Sequence, residues 1–210
     1  MVEWSLDALR ACESVRSIVV ACPPGRAHDL GEGIEVLDGG ATRAQSVANA
    51  LAAVDTELVA IHDAARPLIA PPLVEAVVAT LAADPDAAGA IAAAPVVDTV
   101  KQAADPTGAA FPSHSAGNAA RAIERTLDRA TLWAAQTPQV FRAEALRGAL
   151  AAAADPDAAT DEAMLVEQAG GRVLIHPVAE ANLKVTTPSD LRLAELLLAE
   201  RGAVSGELSP

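Results

Sequence analysis

Aromatic residues are scarce in this 210-residue sequence: Phe, Trp and Tyr together account for 2% of it, and tyrosine is absent. Apolar residues nevertheless make up 51%, so the core must be built mainly from Ala, Val, Leu and Ile. Such small side chains fill an interior only when the secondary-structure elements pack closely, which favours helices layered against a sheet. The sequence therefore predicts one α/β domain over residues 1–210.

Basic residues are also few. The sequence has 15 Lys and Arg against 28 Asp and Glu, giving a formal net charge of −13. A nucleic-acid-binding protein needs a basic surface, so this balance argues against DNA or RNA as a partner. The only lysines are Lys101 and Lys184, and all other basic residues are arginines. A lysine kept in such a chain indicates a compact cationic donor that the planar guanidinium would not replace.

Cysteines and long apolar runs are equally limited. Cys12 and Cys22 are too few for a disulfide framework and are expected to be small buried residues in a reducing compartment. No apolar run reaches the roughly 20 residues of a membrane span, and no signal-peptide pattern follows Met1. We therefore expect a soluble cytoplasmic protein without a membrane partner.

Predicted strands alternate with predicted helices along the chain. Apolar β-branched runs predict strands at 16–21, 33–37, 57–62, 88–97, 172–178 and 183–186. Helical periodicity predicts helices at 3–11, 42–54, 71–83, 143–154 and 187–200. Another helix is expected to begin at Thr160, with its hydroxyl as the cap. Strands separated by helices indicate a mostly parallel sheet, whose ligands bind beyond the carboxyl ends of the strands.

Residues 101–121 lack this alternation. Pro, Gly, Ser, Asn and Ala dominate the segment. This composition is typical of an exposed loop or arm rather than of core structure.

Charged residues directly follow the predicted strand at 57–62. Asp63 offers a carboxylate that can hold Mg²⁺, which prefers oxygen ligands and bridges nucleotide phosphates. Arg66 offers a planar donor that matches phosphate or carboxylate. The alternative is that Asp63 and Arg66 pair with each other and only order a turn.

A glycine pair precedes the predicted helix at 42–54. Gly39 and Gly40 allow a ligand to approach the backbone, and the helix start offers free N–H groups. Arg43 and Ser46 add side-chain donors. Two glycines before a helix can equally form a simple turn.

Six segments in order resemble the 2-C-methyl-D-erythritol 4-phosphate cytidylyltransferase family. They are GGATRAQSVANAL, HDAARP, APVVDTVK, LDRATLWAAQTPQVF, TDEAMLVEQAGGRV and NLKVTTPSDLRLAE. The resemblance implies a Rossmann-like α/β nucleotidyltransferase with a mostly parallel sheet flanked by helices and a projecting dimerisation arm at residues 99–130. It also implies cytidylyl transfer from CTP to 2-C-methyl-D-erythritol 4-phosphate, with Mg²⁺ and release of pyrophosphate, in non-mevalonate isoprenoid synthesis.

The same resemblance assigns roles to individual residues. Nucleotide contacts are implied for Gly40, Arg43, Ser46, Asp63 and Ala64, and the metal contact for Asp63. Contacts to the polyol phosphate are implied for Asp63, Arg66, Thr99, Thr137 and Thr160, some of them across a homodimer. Arg129 and Lys184 are the implied catalytic residues, which direct the acceptor phosphate at the α-phosphorus of CTP.

Simpler structural roles remain open for several of these residues. Thr99 could end a strand, Thr137 could set the turn before Pro138, and Thr160 could cap a helix. Arg129 could be an exposed arm residue, and Lys184 could protect a strand edge from unwanted pairing.

Two features depart from the family pattern. The arm looks longer than the family's hairpin. No segment matches the family's N-terminal glycine-rich loop, and the pattern predicts that one strand-loop unit of about 25 to 30 residues is missing before the first helix. Two alternatives therefore stay open: a ribitol 5-phosphate cytidylyltransferase, and a catalytically impaired dimeric remnant.

Overall fold

The computed structural model describes residues 1–26, 30–104 and 121–206. Its helices are α1 (Val2–Arg10), α2 (Arg43–Ala52), α3 (Pro71–Ala82), α4 (Ala143–Ala152), α5 (Glu162–Gln168) and α6 (Pro188–Gly206). Its strands are β1 (Ile18–Cys22), β2 (Ile34–Asp38), β3 (Leu58–Ile61), β4 (Gly89–Pro95), β5 (Lys101–Ala103), β6 (Ile123–Thr126), β7 (Trp133–Arg142) and β8 (Val173–Pro177). Short 3₁₀ turns occupy Arg129–Thr131 and Pro156–Ala158.

The chain divides into two compact units. The first comprises Met1–Ala93 and Ala135–Pro210, and the second comprises Ala94–Ala134. The second unit contains the antiparallel β5–β6 pair, with Lys101 opposite Thr126. The predicted arm at 99–130 falls inside this unit, and the tract at 105–120 lies outside the described residues.

The main sheet has the strand order β3-β7-β4-β8, and β1 and β2 form a separate parallel pair. β4 and β8 are parallel, whereas β7 runs antiparallel to β3. The sheet is therefore mixed rather than mostly parallel. The difference arises because β7 follows the second unit instead of a crossover helix, so nothing forces it to run parallel to its neighbours.

Alternating side chains place the core on both faces of the main sheet. Phe141 and Ile91 pack with α2, α4 and α5, whereas their chain neighbours Val140 and Ala90 pack with α3 on the opposite face. Gly89 lies against Phe141, and a Cβ there would come within 2.4 Å of the ring. The aromatic ring therefore fills the space that a side chain at position 89 would need.

Two local predictions were wrong. Thr160 does not cap α5; Asp161 does, by accepting a hydrogen bond from the Met164 N–H at 3.0 Å. The Thr160 hydroxyl and the Asp161 carboxylate can both cap a helix start, and the sequence does not reveal which of the two residues does so. Residues 183–186 are not a strand, although the Val185 N–H donates to the Ala65 carbonyl at 2.7 Å. Individual hydrogen bonds hold this segment instead of a strand ladder. Its apolar residues Leu183 and Val185 are partly buried, which gives the segment the sequence pattern of a strand.

No described helix is long and apolar enough to cross a membrane. Both cysteines are free thiols, with Cys12 buried and Cys22 half-buried.

Candidate active site

Asp63 is the centre of a charged cluster just beyond the carboxyl end of β3. Its Oδ2 accepts a hydrogen bond from Lys184 Nζ at 2.7 Å, and its Oδ1 lies 3.4 Å from Arg43 Nη2. Burial opposes ionisation of Asp63, but Lys184, Arg43 and Arg66 outweigh it and lower the pKa of the carboxyl. Asp63 is thus a carboxylate at neutral pH, held between cations.

Glu162 anchors the second side of the cluster. Its carboxylate binds Arg43 through both oxygens, at 2.5 and 2.8 Å, and its side chain is only 1% exposed. Burial disfavours the charge on Arg43, but Glu162 and then Asp63 raise the pKa of the guanidinium above its usual value. This paired geometry fixes the orientation of the guanidinium toward Asp63.

Thr137 and His62 form a hydrogen-bonded chain with the Asp63 backbone. The Thr137 hydroxyl accepts the Asp63 N–H at 3.1 Å and lies 3.0 Å from His62 Nδ1. Because that hydroxyl already accepts one hydrogen bond, its proton can be donated to Nδ1 of a neutral imidazole. Burial lowers the pKa of His62 to about 4, although the Arg66 backbone and Asp63 favour the charged form. The buried Thr137 hydroxyl is therefore committed to positioning Asp63 in this state.

Arg66 is held by the segment that carries Lys184. Its Nη1 donates to the Asn182 carbonyl at 2.7 Å, and the Asn182 amide donates to the Thr137 carbonyl at 2.8 Å. Arg66 Nε and Asn182 Oδ1 are buried without a hydrogen-bond partner. Such orphaned buried groups are costly in a folded protein and are commonly explained by a function. Arg66 and Lys184 thus belong to one connected region.

The glycine loop is closed by its own helix. The Gly40 N–H donates to Ser46 Oγ at 3.0 Å, and Ser46 in turn donates to the Thr42 carbonyl at 2.8 Å. A Cβ on Gly40 would lie 2.2 Å from the Gln45 Cβ, so the glycine is needed for packing against α2. Binding of a nucleotide through Ser46 therefore remains a prediction, since the hydroxyl already donates one hydrogen bond and accepts another within the loop.

The other predicted site residues lie apart from these contacts or in the second unit. Ala64 and Thr160 are exposed in the first unit. Thr99 and Arg129 are exposed in the second unit, where Arg129 donates to the Val97 carbonyl. The roles assigned to these four residues stay predictions.

The cluster is locally cationic. Arg43, Arg66 and Lys184 contribute three positive charges against the two carboxylates of Asp63 and Glu162. An excess of positive charge in a chain with a net charge of −13 indicates an anion-binding site. The described residues contain no group of three or more His, Cys, Asp or Glu placed to hold a metal by themselves.

Sequence reasoning missed three residues of the site: Glu162, His62 and Asn182. Glu162 stands two residues after Thr160 in a predicted helix, and the sequence assigned it no role in the site. His62 directly precedes Asp63, and Asn182 begins a segment that carries a predicted lysine, so both stood within the motifs. Their roles depend on contacts between residues 45 to 119 positions apart, which no local pattern contains.

Known proteins resemble this chain over nearly its whole length. The sequence profile of the 2-C-methyl-D-erythritol 4-phosphate cytidylyltransferase (IspD) family matches residues 1–200. A bifunctional IspD/IspF enzyme from Anaeromyxobacter dehalogenans is 43% identical over 92% of this chain. The 2-C-methyl-D-erythritol 4-phosphate cytidylyltransferase of Acidobacterium capsulatum is 38% identical over 95% of this chain and 83% of its own length.

Solved structures show the same similarity. The crystal structure of the 2-C-methyl-D-erythritol 4-phosphate cytidylyltransferase from Thermus thermophilus superposes with a TM-score of 0.75 and 34% identity, covering 94% of this chain and 88% of that one. This confirms the predicted Rossmann-like nucleotidyltransferase fold. The chain spans about half the length of the bifunctional relatives that it matches, 49% and 48%.

Proposed function

Because this chain belongs to the 2-C-methyl-D-erythritol 4-phosphate cytidylyltransferase family, we propose that it transfers the cytidylyl group of CTP to 2-C-methyl-D-erythritol 4-phosphate. Pyrophosphate is the second product, and the reaction serves non-mevalonate isoprenoid synthesis. The observation that carries this proposal is the cationic cluster around Asp63, in which Lys184 and Arg43 contact opposite carboxylate oxygens beyond β3.

The reaction requires positioning rather than proton abstraction. An oxygen of the acceptor phosphate forms a bond to the α-phosphorus of CTP, and the bond from that phosphorus to the bridging oxygen of the β-phosphate breaks. Because the acceptor phosphate is already an anion, no strong base is needed, and catalysis rests on bringing two phosphates together and neutralising their charge.

Each cation of the cluster has a defined task in this proposal. Lys184, 44% exposed at its side chain, can turn from Asp63 toward the phosphates because its ammonium is a flexible point charge. Arg66 offers a planar guanidinium that matches the acceptor phosphate. Arg43 stays fixed by Glu162 and supplies a rigid positive charge beside the nucleotide.

Asp63 suits a Mg²⁺ ion shared with the substrate. Mg²⁺ is usually bound by one or two carboxylates and by substrate phosphates, so a single carboxylate at the mouth of the site fits its needs. When bound, the ion supplies charge neutralisation at the nucleotide phosphates. Asp63 would hold it, and Lys184 and Arg43 keep that carboxylate ionised.

A homodimer working in the cytoplasm completes the proposal. Arg129 lies exposed on the second unit, where it suits a contact with the acceptor phosphate from across a dimer interface. The free Cys12 and Cys22 thiols suit a reducing compartment, in which CTP is also available.

The direct test is to supply CTP and Mg²⁺ with either 2-C-methyl-D-erythritol 4-phosphate or ribitol 5-phosphate and to measure pyrophosphate and the CDP-linked product. We expect product with the methylerythritol acceptor and a much lower kcat/KM with the ribitol acceptor. Turnover of ribitol 5-phosphate alone would replace the proposed acceptor. Dimer formation without release of pyrophosphate from CTP in the presence of either acceptor would overturn the proposal in favour of a non-catalytic protein.

A further inference from the structure

Gln139 is a buried polar side chain that the packing of the core does not by itself explain. It lies on β7 opposite Ile61, and only 2% of it is exposed. It shares a face of the sheet with Phe141, the face that α2, α4 and α5 cover. A buried amide costs free energy unless its polar atoms are hydrogen-bonded, whereas an apolar side chain of similar size carries no such cost. The hydrogen bonds of Gln139 therefore indicate its task.

All polar atoms of the Gln139 side chain have partners. The Nε2 amino group donates to Asp161 Oδ2 at 2.9 Å and to the Gln136 carbonyl at 3.4 Å. The Oε1 oxygen accepts the Ala163 N–H at 3.3 Å. A side-chain amide has two N–H donors and one carbonyl oxygen, so both ends are in use. These contacts fix one orientation of the amide, because exchanging its oxygen and nitrogen would set donor against donor at Ala163.

The two contacts to α5 lie on either side of Glu162. Asp161 and Ala163 are its chain neighbours, and Gln139 binds the side chain of the first and the backbone of the second. The other oxygen of Asp161 accepts the Met164 N–H at 3.0 Å and so caps the helix. The first N–H groups of a helix have no partner within it, and Gln139 supplies one to Ala163. The first turn of α5 is therefore fixed to β7 around Glu162.

Glu162 transmits this constraint to Arg43. Both oxygens of the Glu162 carboxylate bind the guanidinium, at 2.5 and 2.8 Å. The Arg43 side chain is 41% exposed, and an exposed arginine otherwise samples many rotamers. The pairing selects the rotamer in which Nη2 lies 3.4 Å from Asp63 Oδ1. The guanidinium is therefore ordered before a ligand binds, which lowers the entropic cost of binding.

From these contacts we propose that Gln139 is a positioning residue for the nucleotide side of the site. It holds Glu162, and Glu162 holds Arg43, so that the charge of Arg43 lies in place beside the nucleotide. This inference rests on the proposed function, which gives Arg43 that role. Gln139 acts only through these side chains, since it is buried against the first turn of α5.

The cations on the acceptor side are held by different contacts. Arg66 donates to the Asn182 carbonyl at 2.7 Å, and Lys184 follows Asn182 on the same segment. The Asn182 amide donates to the Thr137 carbonyl at 2.8 Å. None of these hydrogen bonds uses an atom of Gln139. Loss of the Gln139 amide should therefore affect the nucleotide and not the acceptor.

A matched pair of substitutions on β7 tests this inference. Gln139→Met keeps the length and approximate volume of the side chain but removes its donors and its acceptor. Val140→Ala is the control, because Val140 is 1% exposed and packs with α3 on the opposite face of the sheet. It should lower the stability without moving Arg43, so it separates a general loss of stability from a loss of position.

The first measurement follows Arg43 by NMR and needs no substrate. A guanidinium paired through two hydrogen bonds rotates slowly about its C–N bonds, so its N–H groups give separate signals in isotope-labelled protein. The Arg43 signals are those that disappear in Arg43→Lys. We expect them to be separate in the unaltered chain and in Val140→Ala, and to broaden or merge in Gln139→Met.

The second measurement asks whether the position of Arg43 matters for the nucleotide. Gln139→Met should raise the KM for CTP about tenfold and change the KM for the acceptor less than about twofold, since only one binding group is misplaced. In an Arg43→Lys background the same substitution should change the KM for CTP less than about twofold, because its effect passes through Arg43. If the unaltered chain shows no turnover, the proposed function fails, and titration calorimetry with CTP and Mg²⁺ replaces the KM.

Three results would overturn the inference. They are unchanged Arg43 signals in Gln139→Met, an unchanged KM or affinity for CTP, and an effect on CTP that is equally large in the Arg43→Lys background. The second of these would leave Gln139 as a cap of α5 alone. If Gln139→Met does not fold, Asp161→Asn takes its place and is judged by the same results. It keeps the oxygen that accepts the Met164 N–H but presents an amino group, which cannot accept from Gln139.

Discussion

At the residue scale, the decisive features are partnerships between charged side chains that lie far apart in the sequence. Asp63 and Lys184 were predictable as single site residues because each stands in a recognisable motif. Their direct 2.7 Å contact was not predictable, since 121 positions separate them. Glu162 was missed for the same reason: only its burial against Arg43 distinguishes it from an ordinary acidic residue at a helix start.

His62 makes stability depend on pH in a specific window. Its pKa falls from an ordinary value of 6.5 to about 4 in the folded protein, so between these values the unfolded chain binds a proton that the folded chain does not. The free energy of unfolding should therefore decrease as pH is lowered from 6.5 to 4, by about 3 kcal/mol from this residue.

The variant His62→Asn isolates that contribution. Asparagine places an acceptor near the position of Nδ1, so it can still receive the Thr137 hydroxyl, but it does not titrate. Urea denaturation at a series of pH values should show a flatter dependence between pH 6.5 and 4 for this variant. An unchanged slope would show that the folded His62 does not resist protonation.

At the element scale, α2 and its glycine loop form one rigid unit. Thr42 caps the helix by accepting the Gln45 N–H, and Gln45 and Ser46 accept the backbone N–H groups of Ala41 and Gly40. The sequence predicted this helix because its periodicity depends on neighbouring residues. It could not predict that the side chains of the first helical turn already occupy the loop's N–H groups.

Two glycine substitutions with opposite expected signs test this unit. Gly40→Ala should destabilise the protein by about 1 to 3 kcal/mol, because its Cβ would overlap Gln45 at 2.2 Å. Gly148→Ala is the control: this glycine lies inside α4 with nothing within 4 Å of its Cβ, so alanine should stabilise by about 0.5 to 1 kcal/mol. Thermal and urea denaturation measure both changes. A neutral Gly40→Ala would mean that the loop is looser than its hydrogen bonds indicate.

The remaining elements illustrate where local pattern stops being sufficient. Helices with clear periodicity were predicted to within two residues at most ends, as for Pro71–Ala82. The direction of β7 was not predictable, because its residues alternate in the same way whichever way the strand runs. Residues 183–186 were predicted to form a strand because of their apolar residues, whereas the structure holds them by individual hydrogen bonds such as that from the Val185 N–H to the Ala65 carbonyl.

At the scale of the whole molecule, the similarity over residues 1–200 defines the fold, and the structure adds how its strands are paired. Composition and periodicity do not reveal which strands pair, so an irregularity in the sheet could not be located from local pattern. The separation of β1 and β2 from the other strands shows where that irregularity lies.

The central claim is that the cations beyond β3 gather two phosphates for cytidylyl transfer, and the two lysines of the chain allow a direct test. Steady-state kinetics with CTP and 2-C-methyl-D-erythritol 4-phosphate should be compared for Lys184→Ala and Lys101→Ala. Lys184 contacts Asp63, whereas Lys101 lies exposed on β5 beside Thr126. We predict a loss in kcat/KM of roughly 10²- to 10³-fold for Lys184→Ala and a change within about twofold for Lys101→Ala. Equal activity of the two variants would contradict the account.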